Sequence, residues 1–407
     1  MTRINCVSML LYFIFSANLN TNSATINVVC KDPHHGSQNI HDRTMKFVII
    51  SKNTIGAGLG NYLIYYPATY VYAALSGRSI VIQDEGHINS LCKFITCGFP
   101  LYSQVQAAFP QILSQTNLQN SRNIVAADMK SEFDGGIKVE NVIVYAPDYW
   151  WKSNWWLGLN GTAECIQRIT GCDLGDVSCA EAYAFAALVK GPFTSQLTPQ
   201  DEGRITGIPD HIRHAILTLP HAYAPKLDMA VHIRAQLDSF ERQRRLDDPL
   251  YLDEVDGWLN TTGTVLFNHL EAKIVEELTN MTLYNLTDEY AYIYVAADDE
   301  IIKDKFITRI ESGHRIKVMR METAGVVHTK NLHNLHNITG GSGLVDMAFG
   351  WYALSMAQTV LGWRKGYVDM HSTFFESAIK FGSGRKGIVL IATRRGHVHW
   401  AQLSYLI

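Results

Sequence analysis

The chain of 407 residues has no internal repeat and no low-complexity tract, which excludes a repeat array. Charge is scarce: 18% of residues are Asp, Glu, Lys or Arg and the formal net charge is -3. No broad basic field is available to attract nucleic acid or anionic lipid, so any phosphate binding has to be local. Apolar residues make up 47%, which excludes disorder and allows two domains. Tight CxxC pairs of the kind that hold zinc are missing. A nicotinamide fingerprint is incomplete too. In GAGLGNYLIYYPATYVYA (Gly56–Ala73), Asn61 stands at the sixth place, where a third glycine would pack helix on strand.

What is present at the start is signal-peptide grammar. In MTRINCVSMLLYFIFSANLN, Arg3 precedes an apolar run of 12 residues, Cys6–Ala17, and small polar residues follow. Spanning a bilayer takes roughly 20 apolar residues, so residues 1–24 are expected to be a cleaved signal or a membrane-anchoring signal. The expected location is the secretory pathway, in the ER or Golgi lumen, or outside the cell. Beyond Cys6 six cysteines remain, Cys30, Cys92, Cys97, Cys165, Cys172 and Cys179, an even set that reads as structural disulfides of open connectivity. Five glycosylation sequons, at Asn160, Asn260, Asn280, Asn285 and Asn337, agree with that route.

Apolar runs alternate with helical patterns. MKFVIIS, the glycine loop, a helix to Ser76 and SIVIQ form a strand, loop, helix, strand unit, with Pro67 expected in the first helical turn. VENVIVYAP reads as a strand and Cys179–Val189 as a helix. A second series follows Pro225: the strand DMAVHIR, the helix TVLFNHLEAKIVEELTN, the strand EYAYIYVAADD, the strand-like HRIKVMRM, the helical LVDMAFGWYALSMAQTVLG and the strand GIVLIAT. The pattern predicts an α/β protein of two facing Rossmann-like domains, 45–225 and 226–407, with ligands at the carboxyl ends of the strands.

Arg234, ending the strand AVHIR, is the leading phosphate ligand, since a planar guanidinium matches the oxygens of a diphosphate. A salt bridge to a nearby carboxylate is the competing role. The ordered set GAGLGN, YVYAALSGR, His232-Ile233-Arg234, AADD (Ala296–Asp299), Asp346, LSMAQ and STF (Ser372–Phe374) resembles the GDP-fucose-dependent fucosyltransferases, meaning the N-glycan core, plant xyloglucan, nodulation and protein O-fucosyltransferase enzymes. The resemblance runs from about residue 46 to 395. It departs at Tyr62 and Ala235, where the family often has arginine.

The resemblance implies a GT-B type fold and an inverting transfer of fucose from GDP-fucose to a glycan or glycoprotein acceptor, with no metal, no other cofactor and no nucleic-acid partner. It implies that Gly58, Gly60 and Asn61 approach the sugar diphosphate, with His232 at the donor. Arg234 would stabilise the departing β-phosphate, with Ser372, Thr373 and Phe374 beside it. Asp346 would accept the two adjacent N–H donors of guanine, Asp298 and Asp299 would position the nucleotide or nearby backbone, and Glu241 falls near the family's general base. Other readings are a transferase using a different nucleotide sugar and an inactive carbohydrate-binding relative. YWWKSNWW (Tyr149–Trp156) is either an acceptor platform or core.

Overall fold

The computed structural model describes residues 29–33, 46–50, 59–84, 87–92, 95, 97–108, 110, 123–124, 142–145, 155–159, 161–189, 193, 202–235, 237, 249–281, 290–321, 342–365, 372–382, 386–392 and 398–403. The architecture is α/β with two sheets, as the alternating pattern predicts. The first is parallel and short-stranded, in the order β2-β1-β4-β3: β1 (Phe47–Ile50), β2 (Ser79–Ile82), β3 (Asn123–Ile124) and β4 (Val142–Tyr145). β1, FVII, is buried at all four positions, so its apolar run is continuous rather than alternating.

The helix α1 (Leu59–Ser76) joins β1 to β2. It corrects two expectations. Pro67 lies inside the helix rather than in its first turn, and Gly60 and Asn61 are helical residues rather than part of an open loop. The flanking Leu63, Tyr66, Ala68 and Tyr70 are all buried. Packing on several sides offsets the one backbone hydrogen bond that proline cannot donate.

The second sheet has seven strands in the order β11-β10-β9-β6-β7-β8-β5. They are β5 (Ile205–Thr206), β6 (Leu227–Ile233), β7 (Ala291–Ala297), β8 (Ile316–Met321), β9 (Ala357–Lys365), β10 (Lys386–Ala392) and β11 (Val398–Leu403). β6 to β10 are mutually parallel, and the two edges, β5 and β11, are antiparallel to their neighbours. The expected helix LVDMAFGWYALSMAQTVLG divides: a helix ends at Met356 and β9 begins at Ala357. A continuous apolar run fits a buried helix and a buried strand equally well, and the register of β9 on β6 decides between them here.

Between the strands run α7 (Pro249–Trp258), a π turn (Leu259–Gly263), α8 (Thr264–Asn280), α9 (Glu300–Gly313), α10 (Ser342–Met356) and α11 (Thr373–Phe381). Ahead of β6 lie α2 (His87–Cys92), α3 (Tyr102–Ala108), α4 (Thr162–Thr170), α5 (Val177–Leu188) and α6 (Asp210–Thr218). Side chains alternate across the large sheet. Met229, Val231 and Ile233 face a core built with Leu266, Phe306 and other residues of α7 to α9. Ala230 and Val360 face the opposite core, shared with α10, α11, α1 and α5.

That second core crosses from the early to the late part of the chain. Phe185 on α5 touches Tyr66 on α1, Trp351 on α10 and Phe381 on α11, and the Trp351 and Phe381 rings stack with centroids 5.1 Å apart. The Trp351 indole donates to Ser377 Oγ at 3.0 Å. A nearly buried ion pair, Lys380 to Glu181 at 3.0 Å, ties α11 to α5.

All six expected cysteines are paired, as Cys30–Cys165, Cys92–Cys97 and Cys172–Cys179. Trp156 is core, 1% exposed, while the other tryptophans of YWWKSNWW have no described side chain. Asn260 and Asn280 are exposed. Residues 1–24 and Asn160, Asn285 and Asn337 lie outside the described residues. Among the described residues no helix is long and apolar enough to cross a membrane.

Candidate functional site

From β6 the chain builds outward through β7 to β8, then returns to the other side of β6 to add β9 and β10. The direction of winding reverses between β6 and β9. In an open parallel sheet the crevice beyond the carboxyl ends at such a reversal is where ligands bind, because the connections on either side diverge there. β6 delivers His232, Ile233 and Arg234 to this point. In register, His232 stands between Gly362 of β9 and Ala296 of β7.

His232 is 7% exposed, and its Nδ1 is buried without a hydrogen-bond partner. Its Nε2 lies 3.5 Å from the Ser372 hydroxyl, the outer limit for a hydrogen bond. Burial, with the Arg234 charge adding to it, pushes the imidazole down to about 3, so the ring is neutral at physiological pH. Phe374 and Phe375 lie with ring centroids 6.3 and 5.8 Å from it. Gly362 makes that packing possible, since a Cβ there would lie 2.7 Å from the Phe375 ring.

Arg234 is half-buried and has no carboxylate partner among the described residues. Its backbone is held from β7: the Asp298 amide donates to Ile233 O at 3.2 Å, and Asp298 Oδ1 accepts from the Ala235 amide at 2.6 Å. Asp298 thus positions the turn that carries Arg234. Asp299, 3% exposed, caps α9 by accepting from the Ile302 amide at 2.9 Å, and its other oxygen accepts from the Tyr251 hydroxyl. Ser372 occupies the N-cap position of α11, yet its side chain makes no capping hydrogen bond. Its hydroxyl and the first amides of that helix therefore face the same end of the sheet.

Asp346 lies in the second turn of α10, not at its start. Arg204, two residues ahead of the end of β5, grips its Oδ1 at 2.6 Å, while Oδ2 is buried and unpartnered. Burial raises the carboxyl to about 6 in spite of the opposing pull of Arg204 and Lys303. Tyr294 of β7 and Glu300 and Lys303 of α9 complete this polar group, with Lys303 paired to Glu300 at 2.5 Å.

The structure therefore brings His232, Arg234, Asp298, Ser372 and Phe374 together. Asp299 sits beside them in a capping role, and Asp346 on the helix of the adjoining crossover. Thr373 opens α11, but its side chain is not described. Gly60 is buried in α1 and Asn61 follows it, while Gly58 and Glu241 lie outside the described residues. Sequence reasoning missed Arg204, Tyr251 and Gly362. Each acts through a long-range contact, and only the glycine facing the end of β6 leaves any trace in composition. Among the described residues no group of three or more His, Cys, Asp or Glu side chains is arranged to hold a metal ion.

No family model matches the chain, and no curated protein matches it. Solved structures similar to the chain include fucosyltransferases. They include a mutant of FUT1 from Arabidopsis thaliana in complex with GDP, at 16% identity and TM-score 0.43, over 88% of this chain and 75% of that one. Another is fucosyltransferase NodZ from Bradyrhizobium, at 14% identity and TM-score 0.40, over 88% of this chain and 98% of that one. NodZ α-1,6-fucosyltransferase co-crystallised with GDP gives 14% identity and TM-score 0.41 with the same coverage. Likenesses of this strength leave the chemistry to be read from the chain's own residues.

Proposed function

We propose that the protein is an inverting, metal-independent fucosyltransferase that moves fucose from GDP-fucose to a hydroxyl of a glycan or glycoprotein acceptor. The observation that carries this reading is Arg234: a guanidinium at the carboxyl end of β6, at the winding reversal, with no described carboxylate to neutralise it. The ordered motifs around it supply the donor assignment.

Breaking the bond between fucose and phosphate builds negative charge on the β-phosphate. Arg234 meets that charge as it develops, and the amides at the start of α11 with Ser372 add dipolar donors. His232, neutral at physiological pH, offers one N–H and one lone pair rather than a charge. Asp346 accepts from guanine, and Asp298 and Asp299 keep the strand ends in place. Glu241 serves as general base on the acceptor hydroxyl, which attacks the anomeric carbon from the face opposite the departing GDP. Gly58, Gly60 and Asn61 belong to the facing acceptor-side domain, 45–225. The secretory pathway, with residues 1–24 as signal or anchor, is the proposed location, and the three disulfides support it.

The test is thermal stabilisation by GDP, compared with UDP and ADP, followed by transfer from labelled GDP-fucose with and without a chelator. GDP alone should stabilise. Arg234→Ala should lose that response and about 10² to 10³ in turnover. Equal stabilisation by all three nucleotides, or a fully responsive Arg234→Ala protein, would overturn the reading.

A further inference from the structure

We propose that Arg204 is a positioning residue for base recognition: its guanidinium holds Asp346 as a carboxylate and fixes it by Oδ1, so that the buried Oδ2, which has no partner among the described residues, is left to accept from N–H donors of the ligand. This rests on the reading of Asp346 as the guanine acceptor and deepens it. Arg204 and Asp346 are 142 residues apart and meet at 2.6 Å, with side chains 17% and 11% exposed. Arg204 is carried by a rigid edge. β5 pairs with β8, and Gly207, at φ +81°, lets the backbone pass so close to Val318 that an added Cβ would lie 2.0 Å from its carbonyl oxygen.

The chemistry of the acceptor requires this partner. An ionised carboxylate has only acceptors, and gripped by Arg204 at one oxygen it still offers Oδ2 and the second lone pair of Oδ1 to a pair of adjacent N–H groups. A protonated carboxyl would turn one of those acceptors into a donor and meet a guanine N–H head-on. Burial favours that wrong form, and Asp346 already sits at about 6 with Arg204 in place. The other groups acting on it are Lys303 and Glu300 from α9, while Tyr294 from β7 responds to its charge. Lys303 is engaged by Glu300, so Arg204 is the cation in direct contact with the carboxylate.

The experiment measures GDP affinity of the intact protein by calorimetry from pH 5.5 to 9. The native protein should weaken as pH falls through about 6. Arg204→Met removes the opposing charge and raises the carboxyl further, so its affinity should be about tenfold lower at pH 7 and recover towards pH 9. Arg204→Lys should restore most of the binding and the native pH profile. An Arg204→Met protein that matches the native one at every pH overturns the proposal, as does one that binds GDP more tightly, which would make Arg204 a competitor for the carboxylate. Should Arg204→Met fail to unfold cooperatively, Asp346→Asn decides: it should bind weakly with no slope near pH 6, and a retained native slope overturns the proposal. A native protein that ignores GDP at every pH would instead remove the nucleotide reading itself.

Discussion

The two sheets are stabilised differently. The strands of the first are two to four residues long, and all three disulfides lie ahead of residue 180, around α1, α2, α4 and α5. The second sheet has parallel strands of six to nine residues, packed helices on both faces and no disulfide among the described residues. A short-stranded sheet buries little area of its own. It is supported by covalent links within its layer and by the helices α10 and α11 contributed from the second sheet. The site lies on the sheet that is held by its own packing, which keeps His232 and Arg234 on a rigid frame.

Three experiments test how differently the two regions are held. The largest effect should come from the tie between the two regions. Lys380→Met leaves Glu181, which is 4% exposed, without its cation, and should cost about 3 to 5 kcal/mol in denaturant unfolding, with the early region opening first. A loss under about 1 kcal/mol would show that the aromatic core alone joins the regions.

Next is the disulfide with the longest span. Cys30–Cys165 closes a separation of 135 residues, and replacing both cysteines with serine should cost about 3 kcal/mol. Limited proteolysis should then cut the early region while sparing residues 227–321. Cleavage appearing equally in both regions would end the contrast.

The smallest effect concerns the site. Folded His232 stays neutral until about pH 3, whereas an unfolded imidazole takes up its proton near 6.5. The stability it contributes is complete above pH 6.5 and falls as pH drops towards 3, by about 1.4 kcal/mol per unit. Asp346 works the other way, because its folded carboxyl keeps a proton up to about 6 while the unfolded one releases it near 3.8. The two slopes oppose each other over that window. His232→Gln should therefore gain about 2 kcal/mol relative to the native protein between pH 6.5 and 5, measured by urea unfolding at each pH. A difference that stays constant with pH would mean that His232 titrates normally.

Most strands were legible because a run such as FVII or IVLIA is short and rich in β-branched residues, which favours a buried strand over a helix. The helix Thr264–Asn280 was legible for a related reason, a sustained amphipathic period. β9 was not legible: AQTVLGWRK continues the apolar run of α10 without a break, and only pairing with β6 tells strand from helix. Within the site, Arg234 could be anticipated because it ends an apolar strand. That Asp298 and Asp299 hold nearby backbone could be anticipated too, but their partners Ala235 and Tyr251 could not, because these lie 63 and 48 residues away in the chain.

By itself the sequence determined the alternating α/β order, the pairing-ready cysteines and the place of His232 and Arg234 at a strand end, since these follow from local periodicity and residue chemistry. Only the tertiary structure decided that β9 lies beside β6, creating the winding reversal at His232, and that Arg204 meets Asp346. Those facts depend on which distant segments pack together, and packing free energy is shared among residues that no local pattern connects.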